Sequence, residues 1–154
     1  LEYGRLGTID PDGVRFYRAP LRRQSIPVPP DGELGRVEIV STYAGADGRL
    51  LRGLMAQGGM DGLIVEAAGV GNLAGALFDA IAEVREAGIP VVVSTRVTTG
   101  RTLPLYAGKG SGVSLGEIGC IFADNLSPQK ARVMLLAALA AGPRQGGLEG
   151  YFSR

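Results

Sequence analysis

One stretch limits the folds open to this chain more than any other: Gly62 to Ile81, GLIVEAAGVGNLAGALFDAI. It begins with a short apolar run, Leu63, Ile64 and Val65. It ends in a segment whose apolar residues Leu73, Ala74, Leu77, Phe78 and Ile81 recur at helical spacing. Gly69, Gly71 and Asn72 lie between them. A strand therefore runs through a tight turn into a helix, and the glycines permit left-handed backbone and close approach of a ligand. Asn72 stands just ahead of the helical pattern, in the place of an N-cap. In an open α/β sheet ligands gather at this end of a strand. Asn72, with Gly69 and Gly71 shaping the approach, is the leading candidate site.

The same alternation extends along the chain. Leu6 to Ile9 and Val14 to Tyr17 flank Asp10-Pro11-Asp12-Gly13, a turn in which proline presets φ and glycine accepts a positive one, so a β-hairpin is expected. Ala19 to Gly35 is rich in Pro, Gly and Arg, and reads as a linker or an arm lying on a neighbour; Arg22 and Arg23 in it read as a solvated basic turn. Val37 to Ser41 is a strand. Asp47 is placed to cap a helix carrying Leu50, Leu51, Leu54 and Met55, which Gly58-Gly59 stops. The helix of the central unit ends at Gly88. Ile89 to Ser94 is a buried strand, Thr95 to Gly116 a long loop, and Gly119 to Ala123 another strand. Ser127 caps a helix with Pro128 at its first position and an apolar body from Ala131 to Ala141, ended by Gly142-Pro143. A tail with Leu148, Tyr151 and Phe152 closes the chain. The expected fold is α/β: three layers, with a mostly parallel four-stranded sheet of Rossmann-like or flavodoxin-like type, preceded by the hairpin. Residues 1–35 form hairpin and linker arm, and residues 36–154 the α/β domain.

Absences narrow the chemistry. The 154 residues include no histidine and one cysteine, so no Ser–His or Cys–His pair, His-ligated zinc site, Cys-rich metal site or internal disulfide can form within the chain. A net charge of +1 without a basic run gives no reason to expect nucleic acid or an anionic membrane as partner. No apolar stretch approaches the roughly 20 residues of a membrane span. The chain opens on Leu1, which leaves a processed or truncated start open, and the compartment stays open too, with the cytoplasm favoured.

Gly69-Val70-Gly71-Asn72-Leu73-Ala74 fits the dinucleotide fingerprint G-x-G-x-x-A, but it follows the second strand rather than the first. The next strand ends in Ser94-Thr95-Arg96, with no acid to hold a ribose; only Arg96, on a 2′-phosphate, rescues that idea. Arg96 has two readings, a carboxylate ligand or a tether for the long loop. Tyr106 in that loop is a mobile site contact or a simple anchor. Glu66 and Glu117, at strand ends, face solvent. Lys130 and Arg132 sit near a helix start where the dipole disfavours cations, which points to specific partners, expected to be acids. Cys120 reads as a small buried apolar residue. No nucleophile with an activating base emerges.

These residues carry a family resemblance. The segments Val14 to Pro20 (VRFYRAP), Val37 to Asp47 (VEIVSTYAGAD), the GVGNL turn, Val91 to Val97 (VVVSTRV) and Asn125 to Arg132 (NLSPQKAR) resemble, in order and over nearly the whole chain, the C-terminal domain of the bacterial-type L-asparaginase/glutaminase family. The resemblance implies hydrolysis of asparagine, and in some members glutamine, to the acid and ammonia, with no cofactor and no metal. It implies a threonine nucleophile and a second Thr-Asp-Lys set on an N-terminal domain, in T-G-G-T-like and G-T-D-T-like motifs. Neither motif occurs here, so the chain alone is expected to be inactive. Partners implied are that catalytic domain and a neighbouring subunit whose site this domain completes, in a homodimer or homotetramer. Asn72 matches the family asparagine that reaches the neighbour's substrate. The glutamate that some members place in the loop after the third strand has no counterpart between Arg96 and Leu115; that role is vacant, or Tyr106 takes it. The alternative is a stand-alone, non-catalytic amino-acid-binding module. An amidase of the same superfamily acting on aminoacyl-tRNA is disfavoured by the lack of a basic surface signature.

Overall fold

The computed structural model describes residues 6–19 and 25–152. Pro20, Arg22, Arg23 and Leu1 lie outside the described residues. Around the Asp10–Gly13 turn, β1 (Gly7–Asp10) pairs antiparallel with β2 (Gly13–Phe16), and Gly13 takes a φ of +136° that favours glycine. The hairpin leaves Ile9, Phe16 and Tyr17 exposed. The arm after it contains turns at Val28 and Gly32, and Ile26 packs on this chain's own core.

The apolar runs form one parallel sheet of β3 (Val37–Ser41), β4 (Gly62–Ala67), β5 (Val91–Thr95) and β6 (Ile121–Phe122), whose order in space is their order in the chain. Alternation decides which helices cover which face. Leu63, Val65, Ala67, Val91 and Val93 turn to one side. There they bury Leu51 of α1 (Arg49–Gln57) and Leu77, Ala80, Ile81 and Val84 of α2 (Gly75–Glu86). Val37, Ile64 and Val92 turn to the other side and meet Ala131, Leu135 and Ala138 of α4 (Pro128–Ala141), with Tyr151 and Phe152 of α5 (Glu149–Phe152). Gly62 allows α4 close: a Cβ there would lie 2.8 Å from Leu135 Cδ2. The result is the expected three-layer α/β domain. As expected, Ser127 caps α4, its hydroxyl accepting from Lys130 N–H, with Pro128 at the first position.

Of the apolar residues that α1 carries, Leu51 is buried and Leu50 is exposed. Several local expectations are corrected. The N-cap of α1 is Gly48, at φ +80°, while the Asp47 carboxylate accepts from Arg49 N–H at 3.1 Å. That bond, before the Arg49 charge itself, holds Asp47 below the usual carboxylate range. Part of the long loop is helical: α3 (Gly112–Glu117) is capped by the Ser111 hydroxyl. Arg132 Nε donates to the Val37 carbonyl at 2.7 Å, so its partner is a backbone carbonyl at the start of β3, not an acid. Lys130 is exposed and pairs with no acid among the described residues.

Candidate functional site

The turn after β4 is fastened from every side. Ala68 and Asn72 bridge across it, Ala68 N–H donating to Asn72 O at 2.8 Å and Asn72 N–H to Ala68 O at 2.9 Å. The bridge holds residue 72 within the turn, so Asn72 is not the N-cap of α2; Ala74 is. The Thr95 hydroxyl, at the end of β5, donates to Gly69 O at 2.7 Å. From the long loop, Leu103 N–H reaches Val70 O and Gly110 O accepts from Leu73 N–H, both at 2.8 Å. From the end of β3, the Thr42 hydroxyl accepts from Ala74 N–H at 3.2 Å. Gly71 is buried at φ +121° against Val93 and Phe122, and Gly69 is exposed at φ +56°. Both conformations favour glycine; Gly71 serves the core side of the turn and Gly69 its rim.

The carboxyl ends of β3, β4 and β5 meet here in a pocket of about 290 Å³ lined by Thr42, Tyr43, Asn72, Leu73, Ala74 and Arg96, among others. Arg96 is exposed, and its guanidinium makes no hydrogen bond or ion pair among the described residues; only its N–H is held, by Ala67 O at 3.1 Å. The loop-tether reading of Arg96 is therefore corrected: the hydroxyls of Thr95 and Thr102 and the loop's own amides hold the loop. A lining that holds an unpaired arginine and an asparagine but no acid suits a ligand that carries a carboxylate. A larger apolar cleft, about 540 Å³ between β3 and α1, shares Tyr43 but holds neither Asn72 nor Arg96.

The sequence candidates thus divide. Asn72 and Arg96 share the pocket, and Gly69 and Gly71 build its turn. Tyr106 is 54% exposed and does not line the pocket. Thr42 and Tyr43 were missed, although they follow β3 just as Ala68 follows β4 and Arg96 follows β5. The strand-end rule that singled out the central turn would have found them if applied to all three strands. Glu66 does not simply face solvent: it is half-buried and accepts from the Ser41 hydroxyl across the β3–β4 register. Glu117 is exposed, as expected. Ser41–Glu66 and Thr8–Asp10 are hydroxyl–carboxylate pairs, but neither lines the pocket. The turn also spends the Gly71 and Asn72 N–H groups on Ala68 O, amides that a pyrophosphate cradle would need. Among the described residues no group of His, Cys, Asp or Glu is arranged to hold a metal ion. Cys120 is buried, and burial pushes its thiol up to about 12.

Residues 36–152 match the family described as Glutaminase/Asparaginase C-terminal domain. The chain is 35% identical over 143 residues to the L-asparaginase 2 of Escherichia coli, covering 90% of this chain and 39% of that protein. It is 38% identical over 119 residues to a probable L-asparaginase of Deinococcus radiodurans, covering 77% and 35%. The crystal structure of a probable cytoplasmic L-asparaginase from Campylobacter jejuni superposes with a TM-score of 0.79 at 29% identity, over 96% of this chain and 46% of that one. The chain therefore spans less than half the length of each of these relatives.

Proposed function

Since the chain belongs to the glutaminase/asparaginase C-terminal domain family, we propose that it serves as the C-terminal domain of an L-asparaginase-type amidohydrolase, converting L-asparagine and water to L-aspartate and ammonia. The observation that carries this reading is the pocket itself. Asn72 and Arg96 both line it at the strand ends, and the chain's relatives bear the asparaginase name. A small zwitterion with a carboxylate at one end and an amide at the other matches these two groups. Asn72 would hold the substrate by amide hydrogen bonds, with Arg96 drawing its carboxylate and Gly69 and Gly71 shaping the turn.

The chain's own residues bind and orient but do not attack. The Thr42 hydroxyl in the lining and the Thr95 hydroxyl at the end of β5 are buried and already bonded to backbone groups, and the Tyr43 phenol, the other hydroxyl in the lining, is exposed. No lysine or carboxylate lies in the lining to act as base. The nucleophile would come from a preceding catalytic domain, residues 1–35 carrying the hairpin and arm that join to it. This domain would then complete the site of a neighbouring subunit in a homodimer or homotetramer. L-Glutamine is a second substrate to assay, since no acid stands in the loop between Arg96 and Leu115.

The test is ammonia release from L-asparagine by the purified 154-residue chain and by a longer protein that carries it. The longer protein is expected to be active and the chain silent. Release by the chain above its heat-denatured control would refute the division of labour. Calorimetry adds a second arm: saturable heat with L-asparagine on the chain alone would favour a stand-alone binding module.

A further inference from the structure

Three successive N–H groups of the central turn are held by three different parts of the fold. Asn72 N–H goes to Ala68 O at 2.9 Å, within the turn, and Leu73 N–H to Gly110 O at 2.8 Å, in the long loop. Ala74 N–H goes to the Thr42 hydroxyl at 3.2 Å, beyond the end of β3. The first two acceptors are backbone carbonyls, present whatever the side chain. The third is a side chain, 32 residues away in sequence, and the only one of the three that a substitution can delete without moving the main chain. Thr42 is built to hold that position. It is 5% exposed, its N–H donates to Glu66 O at 2.9 Å, and a β-branched residue has few χ1 choices.

We infer that Thr42 is the positioning residue for Asn72. By fixing Ala74, two residues on, its hydroxyl stops the strand-to-helix joint from rotating about the Ala68–Asn72 bridge and so sets the direction in which the Asn72 amide enters the pocket. Geometry of this kind matters because a misplaced ligand group forfeits most of its hydrogen bond. The inference rests on the reading of Asn72 as a substrate ligand. It assigns Thr42 no contact with substrate.

The test uses the full-length asparaginase that carries this domain and compares Thr42→Val, Thr42→Ser, Asn72→Ala and the double variant T42V/N72A. T42V, nearly isosteric but without an acceptor, is expected to raise the KM for L-asparagine roughly three- to tenfold with kcat per folded enzyme little changed, the size of one lost neutral hydrogen bond. T42S restores the hydroxyl and is expected to restore KM. T42V is expected to add nothing in the N72A background, because both changes disable one ligand group. A merely structural role would lower the yield of folded, active enzyme and leave KM alone. If T42V folds poorly, Thr42→Ala is read in the same way, since it removes the acceptor without adding bulk. An unchanged KM in T42V or T42A, with KM raised in N72A, overturns the positioning role and leaves the site standing. Additive effects in the double variant also overturn it, because Thr42 would then meet the ligand itself. An unchanged KM in N72A refutes the reading of the site on which the inference rests.

Discussion

Gly110 presses the long loop against the central turn at a point where no side chain fits. Its φ is +81°, and a Cβ built there would lie 2.7 Å from the Leu73 carbonyl oxygen. Gly88, just after α2, has nearly the same φ, +80°, but its Cβ would meet nothing within 4 Å. The two alanine variants therefore separate two effects. Each forces a non-glycine residue into left-handed backbone, at about 1–2 kcal/mol. Only Gly110→Ala also drives a methyl into main chain, which cannot swing aside as a side-chain tip could. Relief requires the loop to lift, and that breaks the Leu73 N–H to Gly110 O bond of 2.8 Å, worth about 0.5–1.5 kcal/mol more. With displaced packing added, G110A is expected to cost about 2–4 kcal/mol in all, against about 1–2 for G88A. Urea titration of the 154-residue chain reads both values from the midpoint at constant m. For a domain of this size the gap of about 1–2 kcal/mol also means a melting point lower in G110A by roughly 2–8 °C. Equal losses in the two variants would refute the claim that the loop is clamped onto the turn.

Leu135 is fully buried and lies where Gly62 admits α4 to the sheet; Leu135→Ala is expected to cost about 3–5 kcal/mol by urea unfolding, and a loss under 1 would contradict the packing. Burial raises the Cys120 thiol from 9.0 to about 12, against the opposing charge of Arg85. Its stabilising contribution is then complete below pH 9 and lost as pH rises from 9 toward 12. Cys120→Ala should flatten that alkaline decline, and the native thiol should react with a disulfide reagent far more slowly than the urea-unfolded one. Glu83 is held below its ordinary value chiefly by the Arg52 hydrogen bonds, the shortest 2.7 Å. A depressed carboxylate contributes stability above its unfolded value of 4.5 and loses it as pH falls below that. Glu83→Gln should therefore soften acid unfolding, by a small amount that 0.5 M salt reduces, because the pair is exposed.

Elements held together by local chemistry were legible in the sequence, and those fixed from a distance were not. The Asp10–Gly13 turn, the three longer apolar strands and the Ser127-Pro128 helix start carry their cause within a few residues and lie within two residues of where expected, whereas the strand expected over Gly119 to Ala123 shrinks to Ile121–Phe122. The start of α2 does not: Asn72 has the residue type of a cap, but the Ala68 bridge and Thr42 move the helix start to Gly75. The six residues of α3 are too few to show a helical period, though Ser111 with its bond to Ser114 N–H was a readable start signal. Lys130 and Arg132 raised the same dipole objection, yet among the described residues only Arg132 has a specific partner, at a carbonyl that becomes available once β3 lies beside α4. In the pocket, Asn72 and Arg96 were found from strand-end position, while Tyr106 falls outside it because the loop turns its ring to solvent.

Steady-state kinetics of Asn72→Ala in the full-length protein, with L-asparagine as substrate, tests the central claim most directly. If the Asn72 amide holds the zwitterion, KM rises about ten- to a hundredfold, the range for a hydrogen bond to a charged group, while the melting point stays at the wild-type value. A KM and kcat both equal to wild type would contradict the account, because the pocket at the strand ends would then take no part in the reaction.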